Sequence, residues 1–510
     1  MNALRMRRLA AAALLAPLAP AGLSAQETPP PVPERTEAQA AAAGTPLSLQ
    51  DALSRALEQS EEVRLAAARV DEVRAQAKSA RSAALPQVNA QLAYTRTLRS
   101  VFQNVGGFTL PDSLRFEPDP NQPLEERVRY LEDRTPNAAL GALGALFSDL
   151  PFGNENTWIA GLSVSQPVFT GGRISSAISA AESAAEAARA GLEETRADVA
   201  LEVKRAYYDA LLASRSAEIV ELSAELAREH LEQVRLRLEA GRASELEALR
   251  AEVELENLMP QLVQARNQRD VAMLNLKRLI NLPADADIVL TTELDAQTSN
   301  GTDLVAIELP TPEQAEELLR RRAAVRAAQE QVAMREEQVD IARAAYLPTI
   351  ALTGNLTRQA FPDGTFGFPG GDDWRDDWSV GFAVQLPLFQ GFKRGADVAA
   401  AKAQVRQAEL QLSQLREGLI LEYRQARSEL ERAQAQVAAA SRTVEQAERV
   451  YELTELRYRE GLATQLDVSD ARLALQQARI NQVQAYHAAY TALAQAERTL
   501  GLPLDRTTLP

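Results

Sequence analysis

The chain has 510 residues, of which 25% are charged and only 5% are aromatic, and its formal charge is −15. This composition favours long packed helices, and the acidic balance argues against a nucleic acid as partner. The chain contains no cysteine, which excludes disulfides, thiolate metal sites and a lipid-bearing Cys at a mature N-terminus.

The first residues have the pattern of a secretory signal peptide, predicted over 1–25. Three arginines precede the apolar run LAAAALLAPL and the small residues LSA, with cleavage expected after Ala25. The Pro-rich polar segment at 26–46 is predicted to be a flexible lead-in. No later stretch reaches the roughly 18 consecutive apolar residues of a spanning helix, which leaves a soluble periplasmic protein or a β-barrel.

The chain then repeats itself at a fixed offset. Gly241 pairs with Gly461, an offset of 461 − 241 = 220. Pro86 pairs with Pro348, an offset of 348 − 86 = 262, so the first copy carries 262 − 220 = 42 extra residues, placed in a long extracellular loop. A period of this length indicates a duplicated domain. The predicted parts are a first repeat at 47–282, a linker at 283–310, a second repeat at 311–503 and a tail at 504–510.

Four segments, two in each copy, alternate apolar residues with small or polar ones and are predicted to be strands. They contain residues 88–94, 158–164, 350–356 and 378–384. Their length and dyad pattern match outer-membrane strands. Four strands are fewer than the roughly eight of the smallest membrane barrels, and open sheet edges are not tolerated in lipid. A membrane role therefore requires subunits to pool their strands.

Helical sequence follows each second strand, from Gly172 to Gly241 and from Phe392 to Gly461, and predicts helices about 100 Å long. Shorter helices are expected over 49–85 and 311–347. Pro260 should kink or end the return helix of the first copy. On the return helix of the second copy we expect a coiled-coil-like apolar stripe, made of Leu466, Ser469, Leu473, Gln476, Ile480, Val483, His487 and Tyr490.

Two similar stretches, EAGRASELEALRAEV and REGLATQLDVSDARL, join these helices. Gly241 and Gly461 suit the left-handed residue that ends a helix. The following Ser or Thr can N-cap the next helix, with an acid three residues later at the reciprocal capping-box position. The predicted pairs are Ser244 with Glu247 and Thr464 with Asp467. We therefore predict two tight hairpin tips.

A second acid follows the cap of the second tip. Asp467 and Asp470 share one face of the helix because they lie three residues apart. Capping explains Asp467 but not Asp470. In a symmetric assembly the pair would form a ring, and acidic rings at a pore constriction favour cations. From the residues alone, such a ring and ordinary acids at a helix start are equal alternatives.

The sequence shows no clustered catalytic or metal-binding residues, so neither an enzyme nor a cofactor is expected. Its two histidines, His230 and His487, lie in separate copies, and His487 is expected to pack as a neutral ring on the apolar stripe. The loop at 362–377 holds five aspartates without calcium-loop spacing. A solvated hairpin loop is the better interpretation.

Several motifs at fixed offsets resemble those of the TolC family of outer-membrane efflux channels, over nearly all of the mature chain. They are the LP helix-to-strand entries at Pro86 and Pro348, the junctions SQPVFTGG and QLPLFQGF, and the two tips. The resemblance implies a mainly helical homotrimer. Its duplicated hairpins would form a periplasmic α-barrel, and its strands (3 × 4 = 12) would form one transmembrane β-barrel in outer-membrane lipid. It also implies docking to a periplasmic adaptor (membrane fusion) protein and an inner-membrane pump.

The resemblance further implies a periplasmic gate at the tips. Tyr458 matches a gate tyrosine, and Asp467 and Asp470 match paired acids that line the constriction. At the first tip, Glu247 takes the place of a family acid. Ala463 stands where the best-known member has a gate arginine, so the salt bridge of that latch has no counterpart at this position.

The function predicted from these features is the outer-membrane channel of a tripartite efflux or type I secretion system, reaching into the periplasm. A soluble periplasmic coiled-coil adaptor or scaffold is the alternative, which explains the helices but not four amphipathic strands. The sequence identifies neither the exported substrate nor the pump type, whether proton-driven for efflux or ATP-driven for secretion.

Overall fold

A computed structural model of the chain describes residues 45–99, 118–135, 154–295, 303–364 and 367–501. The predicted signal peptide (1–25), most of the predicted lead-in (26–46) and the predicted tail (504–510) lie outside the described residues, as does much of the long loop of the first copy. The described residues divide into a sheet unit, within 82–171 and 346–388, and a helical unit, within 45–81, 172–345 and 389–501.

The elements follow one another in the order β1 (Thr45–Leu47), α1 (Leu49–Gln59), α2 (Glu61–Ser82), β2 (Gln87–Arg96), α3 (Leu124–Arg134), β3 (Asn156–Phe169), α4 (Arg173–Glu239), α5 (Glu245–Leu279), β4 (Ile288–Leu290), a short 3-10 helix (Leu304–Ala306), α6 (Pro312–Arg320), α7 (Ala323–Ala344), β5 (Thr349–Ala360), β6 (Arg375–Gln385), α8 (Lys393–Arg459) and α9 (Gln465–Leu500). Within these elements, no helix combines the length and apolarity that crossing a bilayer needs.

The four predicted strands are confirmed and form one antiparallel sheet in the order β2-β3-β5-β6. Its register collects apolar side chains on one face, because Leu162 lies opposite Leu356, which in turn lies opposite Trp378. That face is open: Val380 is 82% exposed and Phe382 is 75% exposed. In the described part of the chain, β2 and β6 pair on one side only. The sheet is therefore amphipathic, with an uncovered apolar face and two open edges.

The two predicted long helices are confirmed as α4 and α8, which have 67 residues each and extend about 100 Å. Helices of such length are stabilised mainly by packing along their neighbours. Small residues let the backbones approach closely: Ala217, Ala224 and Ala227 of α4 pack against Leu258 and Leu262 of α5. This part of the hairpin is thus held together by a seam of small and apolar side chains.

The largest apolar cluster of the helical unit surrounds Tyr207. The Tyr207 hydroxyl donates to the carbonyl oxygen of Leu47 at 2.9 Å and lies 3.0 Å from the Thr292 hydroxyl. It thereby fixes β1 and the segment after β4, which pair with each other in parallel. One prediction is corrected here, since the last residues of the flexible lead-in belong to a strand, and the predicted linker at 283–310 contains β4 and a 3-10 helix. Three-residue strands are too short to show an alternating pattern.

Helix α5 runs through Pro260, so the prediction that a helix could end there is wrong. A proline inside a helix leaves the carbonyl four residues earlier without its N–H partner. Both Pro260 and Glu256 lie on the exposed side of α5. Water can bond the freed carbonyl there, which lowers the cost of the interruption.

The shorter helices predicted over 49–85 and 311–347 are each divided in two. Ser60 separates α1 from α2 with an extended backbone (φ −57°, ψ 131°). Arg322 does the same before α7 (φ −60°, ψ 145°). At the second break, the buried Arg322 side chain pairs with Glu194 at 2.6 Å.

The stripe predicted on α9 is only partly correct. Gln476 and Tyr490 are buried, but Leu466 and Leu473 are exposed. Their places are taken by other buried residues, namely Val468, Arg472 and Leu475. A prediction from the hydrophobic pattern places arginine in solvent. Because Arg472 is buried and paired instead, the observed stripe differs from the predicted one.

His487 is predicted to pack as a neutral ring on the apolar stripe, but the structure leaves it partly exposed beside a carboxylate. Its Nε2 lies 2.6 Å from Oδ1 of Asp209 on α4, so the ring is hydrogen-bonded to a carboxylate. The Asp209 side chain is about half exposed, and His487 is partly exposed. This contact therefore joins the two copies at the surface of the helical unit.

Candidate functional site: the hairpin tips

The first tip ends α4 with the left-handed turn expected at Gly241, whose φ is +68°. The Arg242 N–H donates to the Arg237 carbonyl at 2.7 Å, and the Gly241 N–H donates to the Leu238 carbonyl at 2.9 Å. These two bonds are those of a Schellman motif. A Cβ added at Gly241 would meet nothing within 4 Å, so the backbone angle rather than space requires glycine.

The second tip repeats the same construction. Gly461 has φ of +77°, the Leu462 N–H donates to the Arg457 carbonyl at 2.7 Å, and the Gly461 N–H donates to the Tyr458 carbonyl at 3.0 Å. Because both turns satisfy the last carbonyls of their helices, each reverses the chain within a few residues. The predicted tight tips are confirmed.

Both capping boxes are also confirmed. The Glu247 N–H donates to Oγ of Ser244 at 3.3 Å, and the Ser244 N–H donates to the Glu247 carboxylate at 2.8 Å. The Asp467 N–H donates to Oγ1 of Thr464 at 3.3 Å, and the Thr464 N–H donates to the Asp467 carboxylate at 2.7 Å. Each acid is therefore engaged by its own helix start.

The two aspartates of the second tip differ in their surroundings. The backbone N–H and the hydroxyl of Thr464 donate to Asp467 and hold the pKa of this carboxyl below its usual range. Asp470 is exposed and has no hydrogen bond or ion pair with any described residue. The negative charge of Asp470 is thus available to solvent ions, whereas that of Asp467 is shared with the cap.

Tyr458 packs against the first long helix. Its ring centre lies 5.8 Å from that of His230 and 4.8 Å from the guanidinium carbon of Arg237, a cation–π contact. No hydrogen bond joins Tyr458 to Glu247 within the described chain. The structure therefore brings Tyr458 to helix α4 rather than to the first-tip acid, and Ala463 is half-buried without a charge to offer.

A buried ion pair above the tips was not predicted. Arg472 of α9 pairs with Glu254 of α5, and their side chains are 5% and 15% exposed. The Ser469 hydroxyl donates to the second oxygen of Glu254 at 2.8 Å. The sequence carried one signal of this pair. At the repeat offset, Arg472 aligns with Glu252 (472 − 220 = 252), so the charge changes sign between the copies.

His230 lies beside this pair on α4. Burial lowers the pKa of His230, and the positive charge of Arg472 lowers it further. Its Nε2 has no hydrogen-bond partner among the described residues. A neutral ring is the form that this environment favours.

The described residues contain no group of three or more His, Cys, Asp or Glu side chains that could hold a metal ion. In the aspartate-rich loop, the Gly370 N–H donates to Asp373 at 2.6 Å. On the adjoining strand, Asp376 pairs with Arg358 at 2.7 Å. Protein donors thus engage these two aspartates.

Sequence comparison identifies the class of protein to which this fold belongs. A family model described as outer membrane efflux protein matches residues 52–282 and 315–502, one segment in each copy. The chain belongs to the outer membrane efflux protein family.

Individual relatives are distant. Nodulation protein T of Rhizobium leguminosarum bv. trifolii is 23% identical over 58% of this chain and 61% of its own length. The cobalt-zinc-cadmium resistance protein CzcC of Cupriavidus metallidurans is 26% identical over 66% of this chain and 75% of its own. The open state of the Neisseria gonorrhoeae MtrE outer membrane channel superposes with a TM-score of 0.68 at 20% identity, covering 91% of each chain.

These comparisons confirm the predicted family, the mainly helical fold with long hairpins, and the location in the outer membrane. The family is one of efflux proteins, so the alternative of a soluble periplasmic adaptor is set aside. The chain spans less than two thirds of nodulation protein T.

Proposed function

We propose that three copies of the chain assemble into one conduit across the outer membrane and the periplasm. The observation that carries this proposal is the amphipathic sheet, with one apolar face exposed and two open edges. Lipid would cover the apolar face. Joining the edges of three sheets gives 3 × 4 = 12 strands, which lies within the size range of outer-membrane barrels and leaves no edge unpaired in lipid.

The helical hairpins would extend this barrel as a tunnel into the periplasm, with the tips at its mouth. Each long helix is about 100 Å long, and its return helix has 35 or 36 residues. Contact of the tips with a periplasmic adaptor and an inner-membrane pump would open the mouth. The capped turns would give these partners an ordered surface to bind.

The proposed gate consists of Tyr458, Glu247, Asp467 and Asp470. Three copies would place six carboxylates of Asp467 and Asp470 around the mouth. Because Asp470 has no partner in the described chain, it would contribute most of the field that attracts cations. Tyr458 would hold α8 against α4 in the closed state through its contacts with His230 and Arg237.

The channel itself would not choose the exported compound. The relatives described above are named for nodulation and for cobalt-zinc-cadmium resistance. An acidic ring selects by charge rather than by chemical identity. We infer that the inner-membrane pump sets the substrate.

Single-channel conductance of the purified protein in a planar bilayer tests the proposal. Wild type should form cation-selective channels that multivalent cations block, and Asp470→Asn should reduce both selectivity and block. Asp467→Asn should have a smaller effect on selectivity, since its charge is shared with Thr464. Asp71→Asn, an exposed acid of α2, is the matched control.

The possible outcomes separate the two parts of this proposal. Absence of any channel, or a monomer by native mass spectrometry in detergent, would overturn the conduit. Channels whose selectivity is the same in wild type and Asp470→Asn would keep the conduit and remove the acidic ring.

A further inference from the structure

The contact that stands out near the tips is the buried cluster of Glu254, Arg472 and Ser469. We propose that this cluster is the latch that holds the two return helices together in the closed state and separates when the conduit opens. The inference rests on the proposed conduit and adds the residues that keep it shut.

The position of the cluster fits this role. Glu254 lies ten residues beyond the N-cap Ser244 (254 − 244 = 10), and Arg472 lies eight residues beyond the N-cap Thr464 (472 − 464 = 8). At 1.5 Å per residue, both are about 12–15 Å from the start of their helices. Among the described residues, it is the ion pair between the two copies that lies nearest the tips. Any spreading of the two hairpins must therefore pull on it.

Its chemistry makes it a two-state contact. One oxygen of Glu254 accepts from Arg472 and the other accepts from Ser469 at 2.8 Å. The structure thus satisfies both oxygens of a side chain that is only 15% exposed, and we assign this paired arrangement to the closed state. Partial separation would leave two charges buried and unpaired, which is costly. Full separation would hydrate both, so closed and open states are favoured over intermediate ones.

Comparison of the two copies shows that the pair is not a structural contact common to both hairpins. In the first hairpin, Arg235 and Glu252 lie 3.5 Å apart, join α4 to α5 and are about half exposed. Their equivalents in the second hairpin are Glu455 (235 + 220) and Arg472 (252 + 220). There Glu455 pairs within its own helix with Arg459. Arg472 is instead directed across to the other copy.

Nearby groups favour the same arrangement. His230 of α4 lies close to Arg472 and is held neutral by its surroundings, so it does not compete with Arg472 for the Glu254 carboxylate. Ala463 places no charge at the second tip itself. The cation that links the copies is instead Arg472, nine residues beyond Ala463 (472 − 463 = 9), or about two and a half helical turns further along the chain.

The test compares channel opening in planar bilayers. Arg472→Ala and Glu254→Ala should each raise open probability about tenfold or more, since each leaves a buried charge unpaired in the closed state. The exchange Glu254→Arg/Arg472→Glu should return it toward wild type. Arg235→Ala/Glu252→Ala, the exposed pair at the equivalent place, should leave it unchanged. Single variants that open no more often than this control would overturn the latch.

A second experiment covers the case in which the alanine variants fail to fold. The chain has no cysteine, so Glu254→Cys/Ser469→Cys can be joined by a short bis-maleimide without other modification. The crosslinked protein should stay closed, and the uncrosslinked double variant should open more often than wild type. A crosslinked channel that opens like wild type would overturn the latch. A wild type that forms no channel would instead overturn the conduit on which it rests.

Discussion

At the junction between the second strand and the long helix, the first copy has Gly172 with φ of +88°, and the second copy has Phe392 with φ of +65°. Both residues precede a helix of 67 residues. At the tips, Gly241 and Gly461 likewise share one backbone conformation. The two copies therefore keep the same turns even where the residue has changed, which shows that chain path is the more constrained property.

Side-chain contacts differ far more between the copies. Ser60 and Arg322 occupy equivalent breaks between short helices (322 − 262 = 60). Ser60 needs only a backbone bond from its N–H to the Ala56 carbonyl, whereas Arg322 is buried among acids of other helices. Residues at equivalent backbone positions thus contribute differently to stability. Substitutions at both positions of a pair can measure this difference in the free energy of unfolding.

The largest difference is expected at these breaks. Arg322 is 3% exposed and bonds Glu194 at 2.6 Å and the Thr499 carbonyl at 3.3 Å. Arg322→Ala should lower the free energy of unfolding by about 2–3 kcal/mol, because it removes a buried cation and leaves the Thr499 carbonyl without its donor, while Glu194 keeps its pair with Arg498. Ser60→Ala should change it by about 0.5 kcal/mol or less. Denaturant unfolding of the full chain measures both, and equal losses would contradict the assigned inequality.

At the strand-to-helix junction we expect a smaller difference in the free energy of unfolding. Here the substitutions in the two copies should change stability in opposite directions. A non-glycine residue in the left-handed region costs roughly 1–2 kcal/mol, offset in part by the unfolded-state entropy of glycine. Phe392→Gly should therefore stabilise the chain by about 0.5 kcal/mol, and Gly172→Ala should destabilise it by about 1 kcal/mol. A Cβ at Gly172 meets only the Ser175 hydroxyl at 3.9 Å, so a clash would not mask the effect. Thermal unfolding in which both substitutions destabilise would show that the exposed Phe392 ring is stabilising.

The smallest effect concerns pH at the second tip. The folded-state pKa of Asp467 is lowered by its bonds from Thr464. Its contribution to stability is therefore present above the unfolded pKa, near 3.9, and is lost as pH falls through the lower folded value. Melting temperatures of wild type and Asp467→Asn should differ at pH 6, begin to converge as pH falls below about 4, and coincide only below the lowered folded-state pKa. Asp470→Asn, with no cap bond, is the control and should track wild type throughout.

The sequence contained enough to predict the strands, the long helices and the tips. Alternation around Leu162 and Trp378 gives the sheet face directly, because side chains of a strand point to opposite sides. The tips follow from local chemistry at Gly461 and Thr464, which needs no partner from elsewhere in the chain. Such features can be predicted from the sequence because the residues that determine them lie within a few positions of one another.

Features that depend on distant partners were missed or placed wrongly. Arg472 is buried because Glu254 lies opposite it, 472 − 254 = 218 residues away in the chain. The strand at 45–47 exists because residues 288–290 pair with it. Pro260 is tolerated because its side of α5 faces solvent. In each case the deciding group comes from tertiary structure, and the sequence carries at most an indirect signal, such as the change of charge between Glu252 and Arg472. The gate roles of Tyr458, Glu247, Asp467 and Asp470 stay predictions.

The exposed apolar face of the sheet has a consequence for how the protein is made. The three apolar clusters of the described residues all lie in the helical unit, whereas Trp378, Val380 and Phe382 are each at least 74% exposed in the described part of the chain. The helices can gain their packing energy on their own, but the sheet gains its share only on meeting lipid. We therefore expect an intermediate before membrane insertion in which the helices are folded and the apolar face of the strands is exposed. Such a surface is prone to aggregation, so we expect a chaperone to bind it until insertion.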